Sequence, residues 1–264
     1  VTCCVLLASE RVAAPMFRKR SPASFPAKSA LVLLVLLAVF LLYLRSRFAT
    51  VYIFGYGSLI NKASRARTGI TGEQYPVLVH GLTRSWDYVY PNQTALGVRL
   101  SENSDDVVNG VLFEVWMSEL PKFDEREAHY VRTRLSVDQV KPYGHYSAFP
   151  AGRDIWVYLN PRPVQARPAC PVLQSYLDTV VLGCLAIGED FAKLFISSTA
   201  GWDGAWVNDR NANTEYAKRN VFLESERALV DKYLEVHVPD HWSRRVEWEE
   251  GVHQTGPCTD YTAQ

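Results

Sequence analysis

The stretch Val51-Tyr-Ile-Phe-Gly-Tyr-Gly-Ser-Leu-Ile60 constrains this chain more than any other. Four apolar residues, Val51 to Phe54, predict a short buried strand. Gly55 and Gly57, one on each side of Tyr56, break it, because two glycines let the backbone turn sharply and bare its N–H groups. Ser58 is placed to cap a helix that Leu59 and Ile60 open. Strand, glycine turn and helix start together aim the amides of Gly55, Tyr56, Gly57, Ser58 and Leu59 at one point, a nest for a carboxylate or an oxyanion. An ordinary strand-to-helix turn accounts for the same residues, and physics alone leaves both readings open.

After this turn come runs rich in Val, Leu, Tyr and Trp, at 76–82, 84–90, 95–100, 107–115, 130–140 and 155–159, separated by turn residues. Gly110 falls inside the fourth run and predicts a bulge or a close backbone approach. Helical patterns gather late, at 172–187, 189–196 and 224–236. Strands first and helices later is an α+β arrangement, a small mixed and mostly antiparallel barrel flanked by helices. Residues 1–51 hold seven Lys/Arg against one acid, and residues 52–264 hold 21 against 27. The body is mildly acidic without a basic stripe, which argues against nucleic acid as a partner. Five dispersed cysteines and scattered histidines make neither a zinc site nor a disulfide framework, though one bridge is open to Cys170, Cys184 and Cys258.

Between the fourth and fifth strand runs, Ser118 is placed to cap a short helix whose inward stripe is Leu120 and Phe123. Glu127, seven residues after Leu120, falls on the same side. A carboxylate facing a core needs a use or a partner, so a salt bridge to an arginine and a catalytic role both stay open. Further on, Pro171-Val-Leu-Gln-Ser-Tyr176 opens an apolar helix on which Tyr176 reads as a core aromatic. The basic residues of 61–68 lie beside the glycine turn, either as a solvated face or as a hold on a substrate carboxylate. The Trp-rich stretch 199–210 reads as a folded loop packing two tryptophans or as a substrate lid.

Phe54-Gly-Tyr-Gly-Ser-Leu59 resembles the signature loop of the γ-glutamylcyclotransferase-like family, especially its ChaC-type branch, and the AIG-like branch shares the fold. The passage Asn109-Gly-Val-Leu-Phe-Glu-Val115, then Phe123-Asp-Glu-Arg-Glu127 and Tyr130, is similar to the family's catalytic segment at about the family's spacing. The resemblance covers roughly residues 51–190. It implies a reaction in which a γ-glutamyl amide closes on itself to give 5-oxoproline and a free amine, with no cofactor and no metal. It assigns Glu127 as general acid/base, residues Gly55 to Leu59 as the substrate-binding loop and Tyr176 as a substrate-orienting residue. Glutathione is the substrate if the ChaC-type branch holds; γ-glutamyl amino acids or amines suit the same chemistry. The alternative is a membrane-tethered, non-catalytic module that binds a small ligand or a protein on the same fold. A type II glycosyltransferase fits only the chain layout, since no Asp-x-Asp metal motif is present.

The N-terminal part suggests an anchor. Arg18, Lys19, Arg20 and Lys28 precede an unbroken apolar run, residues 30–44. The run is expected to be an uncleaved signal-anchor, with residues 1–29 as a basic region and the charge bias favouring a single-pass, type II orientation with the domain lumenal. There, Asn92-Gln-Thr94 would be a usable glycosylation sequon. Residues 1–15 precede the first methionine, Met16, and are expected not to be translated. The domain itself is placed at 51–236 and a partly ordered tail at 237–264.

Overall fold

The computed structural model describes residues 27–90, 93–146, 148–250 and 258. It divides into two compact units, Val1–Leu44 and Arg45–Gln264. Of the first unit only a helix is described, α1 (Ala27–Phe48), whose side chains from Leu31 to Tyr43 are exposed.

In the second unit the elements run β1 (Thr50–Gly55), α2 (Lys62–Ala66), β2 (Thr71–His80), β3 (Leu82–Tyr90), β4 (Gln93–Leu100), β5 (Val107–Trp116), α3 (Leu120–Arg126), β6 (Val131–Leu135), β7 (Val140–Pro142), β8 (Ile155–Leu159), β9 (Val172–Leu173) and α4 (Gln174–Leu185). They continue with α5 (Glu189–Ser197), β10 (Thr199–Ala200), β11 (Trp206–Asn208), α6 (Glu215–Arg219), α7 (Glu224–His237), α8 (Pro239–Trp242) and β12 (Val246–Glu247). The α+β class is the one the sequence predicts. The strands form two six-stranded sheets, β6-β8-β1-β5-β2-β7 and β10-β3-β4-β9-β11-β12, and no closed barrel is detected among the described residues. The first sheet is antiparallel except for β1 with β8. The second is antiparallel only at β3 with β4. The run 130–140 divides into β6, a 3-10 turn and β7, because Ser136 accepts from Asp138 N and Gln139 reciprocates on the Ser136 amide.

β1 lies inside the first sheet, between β5 and β8. Strands covered on both faces read as continuous apolar runs, and Val51 to Phe54 are accordingly buried. This fixes the height at which the chain leaves the sheet at Gly55. Gly110 of β5 lies across from that exit. A Cβ there would sit 2.5 Å from the Gly55 carbonyl oxygen and 2.5 Å from the Phe54 ring, so the close approach is what the glycine serves. Gly110→Ala is expected to destabilise the domain by about 1–3 kcal/mol through overpacking. Urea unfolding measures it, and an unchanged midpoint would mean that β5 can bow away.

The chain keeps packing on this domain after α7. β12 pairs with β11, and Trp242 and Trp248 lie against the core. Cys258 forms a disulfide with Cys170, while Cys184 is free and buried in α4.

The membrane expectation does not hold. No helix among the described residues is long and apolar enough to cross a membrane. α1 has 22 residues, but its unbroken apolar run, residues 30–44, covers about 22 Å of helix against about 30 Å of hydrocarbon. The single-pass signal-anchor, the type II orientation with a lumenal domain, and the membrane as a partner through 30–44 fall with it. Residues 1–15 and Asn92 lie outside the described residues, and Thr94 is buried, donating to the Cys170 carbonyl (2.6 Å).

Candidate active site

Where β1 ends, the backbone makes a tight turn followed by a 3-10 turn, Ser58–Ile60, closed by Ile60 N to Gly57 O (2.8 Å). A Cβ on Gly55 would meet the Leu59 Cβ at 2.9 Å, so the turn packs on itself only because this residue is glycine. The first residues of such a turn have N–H groups with no partner inside it. Ser58 does not cap; the helix that follows, α2, is capped by Asn61, which accepts from Ser64 N. The Ser58 hydroxyl accepts instead from Arg126 Nη2 (3.0 Å).

Two buried arginines hold the turn from behind. Arg65 donates to the carbonyls of Leu59 (2.7 Å) and Ile60 (2.9 Å) and to Gln74. Arg84 donates to the carbonyl of Tyr56 (3.2 Å). Burial lowers Arg65 to a pKa of about 10 and Arg84 to about 9. Neither reading of 61–68 describes Arg65: its guanidinium is spent on backbone carbonyls, and Arg67 donates to Asn220 Oδ1 (2.7 Å).

In front of the turn is a small open pocket, lined by Phe54, Tyr56, Gly57, Ser58, Leu59, Leu96, Glu127, Tyr130, Tyr158 and Tyr176. Residues 56–59, Glu127 and Tyr176 therefore meet in one place, although they are far apart in sequence. Gly55 is not in the wall; it lies under the turn. Glu127 stands at the C-terminal end of α3, its N–H bonded to Phe123 O (2.9 Å). Its side chain is 14% exposed and 3.2 Å from Arg126 Nε. Burial raises the pKa of its carboxyl, against which Arg126 acts in the opposite sense. The two readings of Glu127 are thus not exclusive: the same carboxylate is paired with an arginine and lines the pocket.

Arg126 is the site residue that helical phase missed. Its guanidinium also donates to Ser64 O (3.0 Å), Thr68 Oγ1 (2.7 Å) and Ser64 Oγ (3.1 Å), and so ties Glu127 to the glycine turn through α2. The adjacent Arg-Glu pair was its signal. Tyr158 and Leu96 were missed as pocket walls because strand alternation says which face a residue takes, not which residues converge, whereas Tyr130 entered only through the resemblance.

The tyrosines differ in what their hydroxyls have left to give. Tyr56 donates to Tyr158 O (2.7 Å), Tyr130 to Leu96 O (2.9 Å) and Tyr158 to Asp124 Oδ1 (2.8 Å). Tyr176 instead accepts from Leu96 N (3.4 Å), which leaves its own proton to point elsewhere. Its hydroxyl is 3.0 Å from where a Cβ on Gly57 would be. Burial, reinforced by the Glu127 charge, pushes all four hydroxyls up in pKa, so they stay protonated. Tyr176 also packs edge-on against Trp86 and Tyr216. Within 199–210, Trp202 packs on Trp86 and Trp206 on Trp242, and no residue of the stretch lines the pocket.

The model of the family described as gamma-glutamyl cyclotransferase, AIG2-like, matches residues 53–176. Just under half of the chain is thus similar to that family, a γ-glutamylcyclotransferase-like segment. It begins two residues before the glycine turn, contains Glu127 and ends on Tyr176. The match does not single out the ChaC-type branch. No curated protein matches the chain. Among solved structures, YkqA from Bacillus subtilis aligns at 17% identity and TM-score 0.42, over 55% of this chain and 52% of that one. A structure named gamma-glutamyl cyclotransferase aligns at 14% and 0.44, over 70% and 99%. A glutathione-specific cyclotransferase from yeast aligns at 12% and 0.34, over 56% and 86%. The chain thus spans about half the length of the Bacillus subtilis protein. The γ-glutamylcyclotransferase-like segment supplies the glycine turn, the Arg126–Glu127 pair and Tyr176, whereas Tyr216 comes from beyond it.

Proposed function

We propose that the domain is a γ-glutamylcyclotransferase that releases 5-oxoproline from a γ-glutamyl amide. The observation that carries this reading is a desolvated carboxyl, Glu127, in the same small pocket as the amides of the glycine turn and the Tyr176 hydroxyl. The attacking α-amine belongs to the substrate, so the reaction asks the protein for a base, donors and placement. Ring closure through five atoms gains from proximity once the chain is held folded. The free α-amino group is mostly ammonium near neutrality. Glu127 takes its proton, the nitrogen forms a bond to the γ-carbonyl carbon, and the C–N bond to the leaving amine breaks as the proton is delivered to that amine. The negative charge that develops on the carbonyl oxygen is met by turn amides and the Tyr176 hydroxyl.

The leaving amine sets the substrate: cysteinylglycine, from glutathione, follows from the ChaC-type branch, and the amines of γ-glutamyl amino acids or γ-glutamyl-lysine suit the same steps. The full chain is incubated with glutathione, γ-glutamyl-alanine and γ-glutamyl-ε-lysine, and 5-oxoproline is read by mass spectrometry. Product from one of the three is the expected result. Absence of product from all three discards the catalytic reading.

A further inference from the structure

The γ-glutamylcyclotransferase-like segment stops at Tyr176, yet the side chain that fixes the start of α4 comes from further along. Asp209 is fully buried. One carboxylate oxygen accepts from Ser175 N (2.8 Å); the other accepts from Ser175 Oγ (2.6 Å) and Thr214 Oγ1 (2.7 Å). Leu173 at the N-cap of α4 offers no side-chain cap, so Asp209 supplies in tertiary structure what a local Ser or Asp would supply in sequence. The next residue, Arg210, grips the same turn one step on, with Nε to Asp178 Oδ2 and Nη2 to Asp178 Oδ1, both 2.7 Å. Ser175 and Asp178 are three residues apart and share a helix face. Holding them fixes the rotation of α4 about its axis, and Tyr176 projects from that turn into the pocket.

The second arm of Asp209 leads to the same place. Thr214 caps α6 by accepting from Ala217 N (3.1 Å). α6 carries Tyr216, whose ring lies edge-on to Tyr176 at 5.1 Å. One carboxylate thus orders the helix that bears Tyr176 and the helix that bears the ring beside it.

We infer that Asp209, seconded by Arg210, is a positioning residue that sets the Tyr176 hydroxyl over the glycine turn, so that the site is completed by chain outside the γ-glutamylcyclotransferase-like segment. The inference rests on the cyclotransferase reading for its kinetic consequence, but not for its structural one. Displacing a reacting group by about 1 Å costs on the order of 10²-fold in rate. Asp209→Asn, which keeps the shape and loses one acceptor and the charge, is expected to lower kcat about 10-fold or more with KM little changed. Arg210→Lys, which loses the two-pronged grip, is expected to lower it less.

The test is a double-mutant cycle with Tyr176→Phe in the full chain. If Asp209 acts through Tyr176, Asp209→Asn costs little more in the Tyr176→Phe background. An equal loss in both backgrounds overturns the inference, because a general loosening of the fold is additive. A second readout needs no turnover: the Leu96 amide, whose acceptor is the Tyr176 hydroxyl, should exchange with deuterium faster in Asp209→Asn, as it should in Tyr176→Phe. Unaltered Leu96 exchange also overturns the inference. Should the wild-type protein make no 5-oxoproline, the cyclotransferase reading fails and Leu96 exchange alone decides the positioning role. If Asp209→Asn proves too unstable to purify, Arg210→Lys and Ser175→Ala carry the same cycle.

Discussion

Glu127→Gln is expected to lower 5-oxoproline formation by about 10²- to 10⁴-fold, the range that a positioned acid/base supplies, while substrate binding persists. Glutamine keeps the volume and one acceptor of the carboxylate but cannot carry the proton from the α-ammonium to the leaving amine. The measurement is kcat and KM for whichever γ-glutamyl amide the wild-type enzyme turns over. A variant with wild-type turnover would mean that another group moves the proton. The pH dependence has a definite sign. Burial raises the Glu127 carboxyl above the ordinary glutamate value of 4.5, and the base form is the working one. The acidic limb of kcat/KM should therefore lie above the ordinary glutamate range and be absent from what activity remains in Glu127→Gln. Stability moves the opposite way. Between the unfolded and the raised folded pKa, the native state binds more protons than the unfolded state, so this group's stabilisation is present at low pH and lost as pH rises through the folded pKa. Glu127→Gln lacks that loss. It should melt above wild type near neutrality, with the difference closing as pH falls through the raised pKa. The opposite order would mean that the pairing with Arg126 outweighs the burial of the charge.

What could be read from the sequence follows from how local each signal is. β1 and the turn after it are encoded within ten residues by an apolar run and two glycines, and the turn forms as expected. Glu127 was legible because its distance from Leu120 sets the side it faces, whereas Tyr176 came only from the resemblance, its helix by itself pointing to a core aromatic. The reach of Arg126 is not local: adjacency to Glu127 points to the pair, but only the fold brings α2 within range of its guanidinium. Arg65, Arg84 and Asp209 were opaque for a related reason. A charged residue in a short polar or strand-like stretch reads as exposed, since burying an ionised group is costly unless it is satisfied. Here Arg84 and Asp209 are satisfied by carbonyls, amides or hydroxyls from elsewhere in the chain, and Arg65 is through both Nη atoms, its buried Nε having no partner. The apolar run 30–44 shows the converse error. An apolar run with basic residues on both sides, Lys28 and Arg45 among them, suggested an anchor whose short length snorkelling could make up, but no described helix is long and apolar enough for a span.

Arg84→Met tests the least visible of these residues and should have the largest effect on stability. The Arg84 guanidinium donates to Thr199 Oγ1 (2.8 Å), Asn109 O (2.7 Å), Asn109 Oδ1 (2.9 Å), Phe195 O (3.0 Å) and Ser198 Oγ (2.9 Å), besides the Tyr56 carbonyl. Its carbon lies 4.1 Å from the centre of the Phe195 ring. All of these acceptors are neutral. They belong to the glycine turn, β5, the end of α5 and β10, so one side chain joins four parts of the domain. The helix end contributes a favourable partial negative charge, but burial still brings Arg84 down to a pKa of about 9. Methionine fills much of the same space without a donor and takes the guanidinium from the carbonyls of Tyr56 and Asn109, while Phe195 O keeps the Thr199 hydroxyl; each buried group left unsatisfied costs about 1–3 kcal/mol. Part of that is recovered, because the charge no longer has to be desolvated. The expected net loss is about 3–5 kcal/mol, read as a lower urea midpoint with the slope unchanged. A midpoint within about 1 kcal/mol of wild type would show that the carbonyls find other donors. Below its melting temperature the variant has a second expected defect. With Tyr56 O released, the glycine turn loses one of its rear supports, so turnover should fall further than the folded fraction does. Arg84→Lys should recover only part of either loss, because an ammonium has three donors where the guanidinium has five, and they do not lie in one plane.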